Sequence, residues 1–285
     1  MNRSRATWPL GLPVAEDAPV GIVVVNYNTR NLIAQLVYSL YRQIRRPRFQ
    51  LVVVDNASSD GSAELLEELS AAGLCVALLN SEQRYHGPGL NQGFDYLAAR
   101  QSLVAEENRL RFLWVLDSDC VVIRPDALSA AVDVMHITRA GLVGQWEFDE
   151  WHQGDMMGLH SLLVDPLLVW QDEIEPFQEH GNPSEALQIC AARAGILTAE
   201  FPFTRDGYVI HLGRGTLRSV AQNNERSNQY FTWATAHNRP HFMLEKEGPA
   251  RYERFLAEFR ADVGDVTAES LIRACAHYHS EDPAP

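Results

Sequence analysis

The sequence predicts an α/β protein: a mainly parallel sheet flanked by helices, with a helical extension at its C-terminal end. Three observations carry this. Val20 to Val25, Gln50 to Val54, Cys75 to Leu79 and Phe112 to Leu116 are short, nearly continuous apolar runs, the texture of strands covered on both faces. Amphipathic stretches of helical period separate them. Each run empties into polar residues, as strands do where their carboxyl ends face a ligand crevice.

In chain order, Met1 to Ala18 mixes Pro, Gly and charge without periodicity and reads as a loose surface arm. The first strand leads through Asn26, Tyr27, Asn28 and Thr29 into a helix from Asn31 to Tyr41. The second ends in Asp55 to Ser62, a turn with a helix cap at Ser59 or Asp60, before a helix over Ala63 to Ala72. The third precedes a loop through Gly87 and Gly89 and a helix from about Leu90 to Ala99. The fourth runs straight into Asp117-Ser118-Asp119. Asp126 to His136 then reads as a helix, and Gly141 to Trp146 and Met156 to Val164 as strands. Right-handed crossovers place Asn26 and Tyr27, Asp55 and Asn56, Ser81 to Tyr85 and Asp117 to Asp119 along one sheet edge.

Composition narrows the function. At 285 residues the chain can bury a full core, and 46% hydrophobic with 21% charged residues is ordinary for a globular protein. The net charge of -13 argues against a nucleic-acid partner, because Arg42, Arg45, Arg46 and Arg48 form the sole basic cluster and read as a solvated helix end. Cys75, Cys120, Cys190 and Cys275 show neither metal-type pairing nor a disulfide framework, so they read as reduced thiols of a cytoplasmic protein. No apolar run approaches membrane-spanning length and no signal-peptide core follows Arg3 and Arg5. Peripheral contact with a membrane surface stays open.

An Asp-x-Asp triplet alone is common, and Asp after a strand often caps a turn. Here Asp117 and Asp119 stand two apart at a strand end, where they can share a hard cation that keeps an open face for phosphate. A nucleotide suits the same edge. Asp55 can accept from a base or ribose, and Tyr27 can offer a ring face.

Four blocks, VVVNYNTRNLIAQLVYSL, LVVVDNASSDGSAELL, GLNQGFDYL and LWVLDSD, resemble the nucleotide-binding half of family 2 glycosyltransferases, which have the GT-A fold. The resemblance covers about residues 20 to 130. It implies transfer of a sugar from a nucleoside-diphosphate sugar, usually with inversion and with Mn2+ or Mg2+. It assigns base contact to Asp55, ribose and metal to Asp117 and Asp119, and donor contacts to Asn26, Tyr27, Asn28, Asn91 and Ser118. The chain departs from the pattern at Arg84-Tyr85-His86-Gly87-Pro88-Gly89, where Arg84 can cap the base or pair with diphosphate and the glycines either present backbone N–H groups or shape the helix entry.

Beyond the acidic loop the likeness weakens. Trp146, Trp151 and Trp170 are candidate sugar platforms, with core or surface packing an equal alternative. Ser184 is a helix cap with Glu185 in the first turn, and Gly195 stops that helix. The resemblance makes Glu185 the first choice of catalytic base, with Glu175, Glu179, Asp149 and Glu150 as alternatives. Leu197 to Phe201 and Tyr208 to Leu212 read as strands, and the block around His211 resembles the one in which relatives place a third metal ligand. Arg214, Gly215 and Thr216 follow as candidate phosphate contacts.

Ala250 to Arg260 and Ala268 to His277 read as amphipathic helices, and Tyr230 to Ala236 as a shorter one. They suit an acceptor cover or a homodimer surface. The expected division is an arm (1–18), a GT-A domain (19–217, its nucleotide-binding half 19–130 and acceptor half 131–217) and a helical extension (218–285). The leading expectation is a glycosyltransferase acting on a glycan, glycolipid or small-molecule hydroxyl. A binding module without turnover and a sugar-nucleotide pyrophosphorylase are alternatives; the latter wants a Gly-rich basic loop after the first strand, and Asn26 to Arg30 holds no Gly.

Overall fold

A computed structural model describes residues 5–149, 154–179, 182–213 and 247–279. Glu150, Trp151, Arg214 to Thr216 and the segment Tyr230 to Ala236 lie outside them. Seven strands form one sheet. In chain order the elements begin β1 (Val20–Asn26), α1 (Arg30–Gln43), β2 (Phe49–Asp55), α2 (Ser62–Ala71), β3 (Val76–Leu79), α3 (His86–Arg100) and β4 (Phe112–Asp117). Next come β5 (Cys120–Val122), α4 (Ala127–Thr138), β6 (Leu142–Asp149), β7 (Gly154–Val164), the single turn α5 (Pro166–Val169) and α6 (Glu185–Arg193). Last are β8 (Thr198–Glu200), β9 (Val209–His211), α7 (Gly248–Val263) and α8 (Ala268–His279).

The sheet order is β3-β2-β1-β4-β7-β6-β8, with β5 and β9 paired as a separate two-stranded sheet. β3, β2, β1 and β4 are parallel, and β7 enters antiparallel to β4 with Leu116 opposite Ser161. That register sets the site: residues of β7 before Ser161 lie beyond the carboxyl end of β4. The strands alternate between two buried layers. Ile22, Val24, Leu51, Val53 and Trp114 face α1, α2, α4, α7 and α8, whereas Val23, Val52, Leu113 and Val115 face α3, α5 and α6.

Three expectations change in three dimensions. α3 begins at His86 rather than near Leu90, because its glycines lie where the helix touches its neighbours. A Cβ on Gly93 would stand 2.5 Å from Val23 Cγ1, and one on Gly87 would fall 1.8 Å from the Gln178 carbonyl oxygen. Pro88 is tolerated because the first helical turn has no intrahelical use for its missing N–H. The segment before β1 is fastened rather than loose: Trp8 N donates to Trp170 O at 3.0 Å, and the Arg5 guanidinium lies 3.8 Å over the Trp170 ring while donating to Ile174 O. Trp170 is therefore a core residue, fully buried against Phe94 and Phe177, and no sugar platform. Trp146 on β6 keeps an exposed face.

Arg42 is likewise no solvated helix end. It donates to Tyr38 Oη at 2.7 Å and pairs with Glu258 and Asp262 at 2.9 and 3.2 Å, tying α1 to α7. Beneath these bonds Phe255, Phe259 and Val263 of α7 and Leu271 and Cys275 of α8 enter the core layer of α1. Among the described residues, no helix is long and apolar enough to cross a membrane.

Candidate active site

Two acids and a histidine meet at the carboxyl end of β4. Asp117 is its last residue, and Asp119 precedes β5, whose pairing with β9 sets Cys120 opposite His211. Leu212 N donates to Asp119 O at 3.0 Å and locks the register. His211 Nε2 then lies 3.4 Å from Asp117 Oδ2 and 3.3 Å from Asp119 Oδ1. Burial pushes the imidazole down, but the Asp119 charge and the bonds to both carboxylates raise it to about 10. Burial would raise the Asp117 carboxyl; the His211 bond and the charges of His86, His211 and His160 outweigh it and hold Asp117 well below the usual carboxylate range.

Two carboxylate oxygens thus converge on one imidazole nitrogen. Asp117 Oδ1 is buried with no hydrogen-bond partner and faces the equally unbonded His86 Nε2 at 3.6 Å. Two carboxylates and one imidazole form a donor set that fits a divalent cation. Cys120 also lies within ligand reach of Asp119 and His211. Its thiol is a poor ligand here: burial, then the charges of Asp117 and Asp119, push it well above its ordinary range, and the neutral S–H donates to His160 O at 3.3 Å.

The neighbouring loops are closed by their own bonds. The sequence expects Asp55 to accept from base or ribose, yet it is 1% exposed and accepts from Asn26 Nδ2, Ser58 N and Ser58 Oγ at 2.8, 2.9 and 2.6 Å. Ser58 Oγ in turn accepts from Asn28 N, and Asn28 Oδ1 accepts from Ser59 N. Asn28 sits at a φ of 52°, a left-handed turn that Asn tolerates. Thr29 Oγ1 donates to Asn26 Oδ1 at 2.6 Å and accepts from Ser118 Oγ at 3.0 Å, joining this loop to the acidic one. Tyr27 is half-buried between them and Arg84 is exposed on the next loop, whose carbonyl is held by Asn56 Nδ2 at 2.7 Å.

Asn91 does not face this group. Its amide closes on Phe177 in both directions, at 2.8 and 3.0 Å, and braces α3 against the 177–178 segment. Glu185 opens α6. The Ser184 side chain makes no cap to that helix; its hydroxyl bonds Asn182 Oδ1 and accepts from Gln188 Nε2. Gln188 pins α6 to β7 through Met157 N and O at 2.9 and 3.0 Å, on the stretch of β7 that lies beyond the carboxyl end of β4.

Sequence reasoning missed His86, His160, Glu147, Ser58 and Thr29. Ser58 and Thr29 stand inside two of the four family-like blocks; His160 is the one ionisable residue in MMGLHSLLV, a pattern that otherwise reads as strand packing.

A family sequence model described as "Glycosyl transferase family 2" matches residues 21–193, and the chain belongs to that family; it is a glycosyltransferase. Its architecture is the GT-A fold. The structure is similar to Staphylococcus aureus TarS 1-349 solved with UDP-GlcNAc, with a TM-score of 0.50 and 13% identity over 93% of this chain and 88% of that one. It is also similar to the Pyrobaculum calidifontis mannosyltransferase PcManGT solved with GDP-Man and Mn2+, with a TM-score of 0.48 and 17% identity over 93% and 81% of the chains.

Proposed function

We propose that this glycosyltransferase moves a sugar from a nucleoside-diphosphate donor to a hydroxyl of a glycan, glycolipid or small-molecule acceptor, with inversion and with Mn2+ or Mg2+. The observation that carries this is the convergence of Asp117 Oδ2 and Asp119 Oδ1 on His211 Nε2. These three side chains would hold the cation, which when bound offsets charge on a departing diphosphate. Tyr27 and Arg84 line the nucleotide side, while Asn26, Asn28, Asp55 and Ser118 fix the loops that carry them. Asn91 acts at one remove, through the Phe177 segment.

Glu185 is the base. Its carboxylate takes the proton of the acceptor hydroxyl as the oxygen attacks the anomeric carbon on the face opposite the diphosphate, so configuration inverts. Its position at the head of a helix pinned to β7 supports the role.

A thermal-shift panel of UDP, GDP, dTDP and CDP, each with and without Mn2+, tests the donor site. One nucleotide should stabilise the wild type only with Mn2+, by about 2.7 kcal/mol at a hundredfold excess over Kd, and Asp119→Ala should abolish the shift. A shift indifferent to Mn2+ and to Asp119 would sink the metal assignment.

A further inference from the structure

His160 reaches the site from β7 with its ring flat against that of His211: the centroids are 4.5 Å apart and the planes 6° from parallel. The ring is 5% exposed. Cys120, Glu147 and Gly158 surround it. Cys120 Sγ donates to the His160 carbonyl at 3.3 Å, fixing β7 to the strand that pairs with β9. Glu147 Oε1 on β6 stands 3.8 Å from His160 Nε2 and is itself held by Gln145 Nε2 at 2.9 Å. Gly158 leaves the necessary room, since a Cβ there would lie 2.5 Å from His160 Cε1 and 3.0 Å from Glu147 Oε2.

We propose that His160 is a positioning residue: its ring face is a platform that fixes the rotation of the His211 imidazole so that Nε2 points between Asp117 and Asp119, with Glu147 and Gly158 setting the platform's own place. This rests on the reading of His211 as a metal ligand. The physical need is clear. Terminal torsions of histidine are broad, so packing against the ring must choose the angle. A carboxylate or carbonyl usually does this through the second ring nitrogen, and loss of such a partner typically weakens metal binding by 10- to 100-fold. Here a parallel aromatic face lies against the ring, and the contact joins two sheets: β7 belongs to the seven-stranded one and β9 to the two-stranded one.

The test is direct Mn2+ binding, read as free Mn2+ by electron paramagnetic resonance in the presence of the nucleotide that the wild type takes up best. His160→Phe keeps a flat ring, whereas His160→Leu keeps the bulk without a face. We expect His160→Leu to weaken Mn2+ binding by 10- to 100-fold and His160→Phe to stay within about threefold of wild type. Thermal melts of both variants are run beside the titrations, and Gly158→Ala, which drives a methyl group into the ring, should fall with His160→Leu. Equal losses in the Phe and Leu variants, or no loss in either, overturn the platform while leaving the metal reading intact. Failure of the wild type to bind Mn2+ overturns both.

Discussion

At the scale of single residues the site is an arrangement of charges that restrain one another. Asp117 turns one carboxylate oxygen to His211 at 3.4 Å, while the other faces His86 at 3.6 Å without a hydrogen bond. Glu185 is the first residue of α6. If it is the base, Glu185→Gln should lower kcat by about 10²- to 10⁴-fold and leave Mn2+-dependent nucleotide binding unchanged. Steady-state rates beside a thermal-shift measurement separate the two effects, and full activity in the variant would move the role to Glu175, Glu179, Asp149 or Glu150.

Two cysteines give a prediction that does not involve the site. Burial raises the thiols of Cys75 and Cys275 from 9.0 to about 12. An acid raised in the folded state contributes stability that is fully present below its unfolded value and lost as pH climbs through the folded one. Between about pH 9 and 12 each thiol therefore steepens the fall in stability by about 1.4 kcal/mol per pH unit. Melting curves across that range should decline less steeply for Cys75→Ala with Cys275→Ala than for the wild type. Parallel slopes would show that neither thiol is held neutral.

At the scale of elements, α3 shows how glycine can favour a helix that its intrinsic propensity opposes. Alanine at Gly93 would gain about 1 kcal/mol of helix propensity, yet its Cβ would meet Val23 Cγ1 at 2.5 Å, and overpacking of this kind costs about 1–3 kcal/mol. Packing wins because strand and helix are both held by their own hydrogen bonds. Gly93→Ala should thus lower Tm by several degrees, at about 2–4 °C per kcal/mol; a rise would mean that α3 stands off β1 more freely than the contact implies.

The same helix divides what was legible in the sequence from what was not. β1, β2 and β4 were legible because a short apolar run needs cover on both faces, and the interior of a sheet between helices provides it; β3, at the sheet edge, is only partly covered. Asp117, Asp119 and His211 followed from the blocks around them. The helical turn at His86 was hidden because Gly87, Pro88 and Gly89 read locally as breakers, whereas the reason for them is the backbone at Gln178, far away in the chain. His160 and Glu147 were hidden by strand patterning, and the partners of Arg42 by distance, since Glu258 and Asp262 belong to another helix.

At the scale of the whole molecule, the C-terminal helices share a core with the sheet. The polar clamp is the weaker part of that joint: Glu258 and Asp262 are 50% and 37% exposed, and pairs of that kind contribute about 0.2–1 kcal/mol. Phe259 is buried against the Tyr38 ring, 5.3 Å between centroids, and its loss should cost about 3–5 kcal/mol. Denaturant melts of Arg42→Ala and Phe259→Ala should differ accordingly, and equal effects would show that charge rather than burial fastens α7. The pairing of β5 with β9 adds a matter of timing. His211 lies past the end of the family match at residue 193, so a chain emerging in order can assemble every parallel strand and both aspartates before its histidine exists to join them. Closing so long a loop carries an entropy cost that no local contact offsets. Under the proposed assignment a nascent chain can therefore hold its sheet while still lacking its third metal ligand, and the C-terminal helices that complete the core emerge later still.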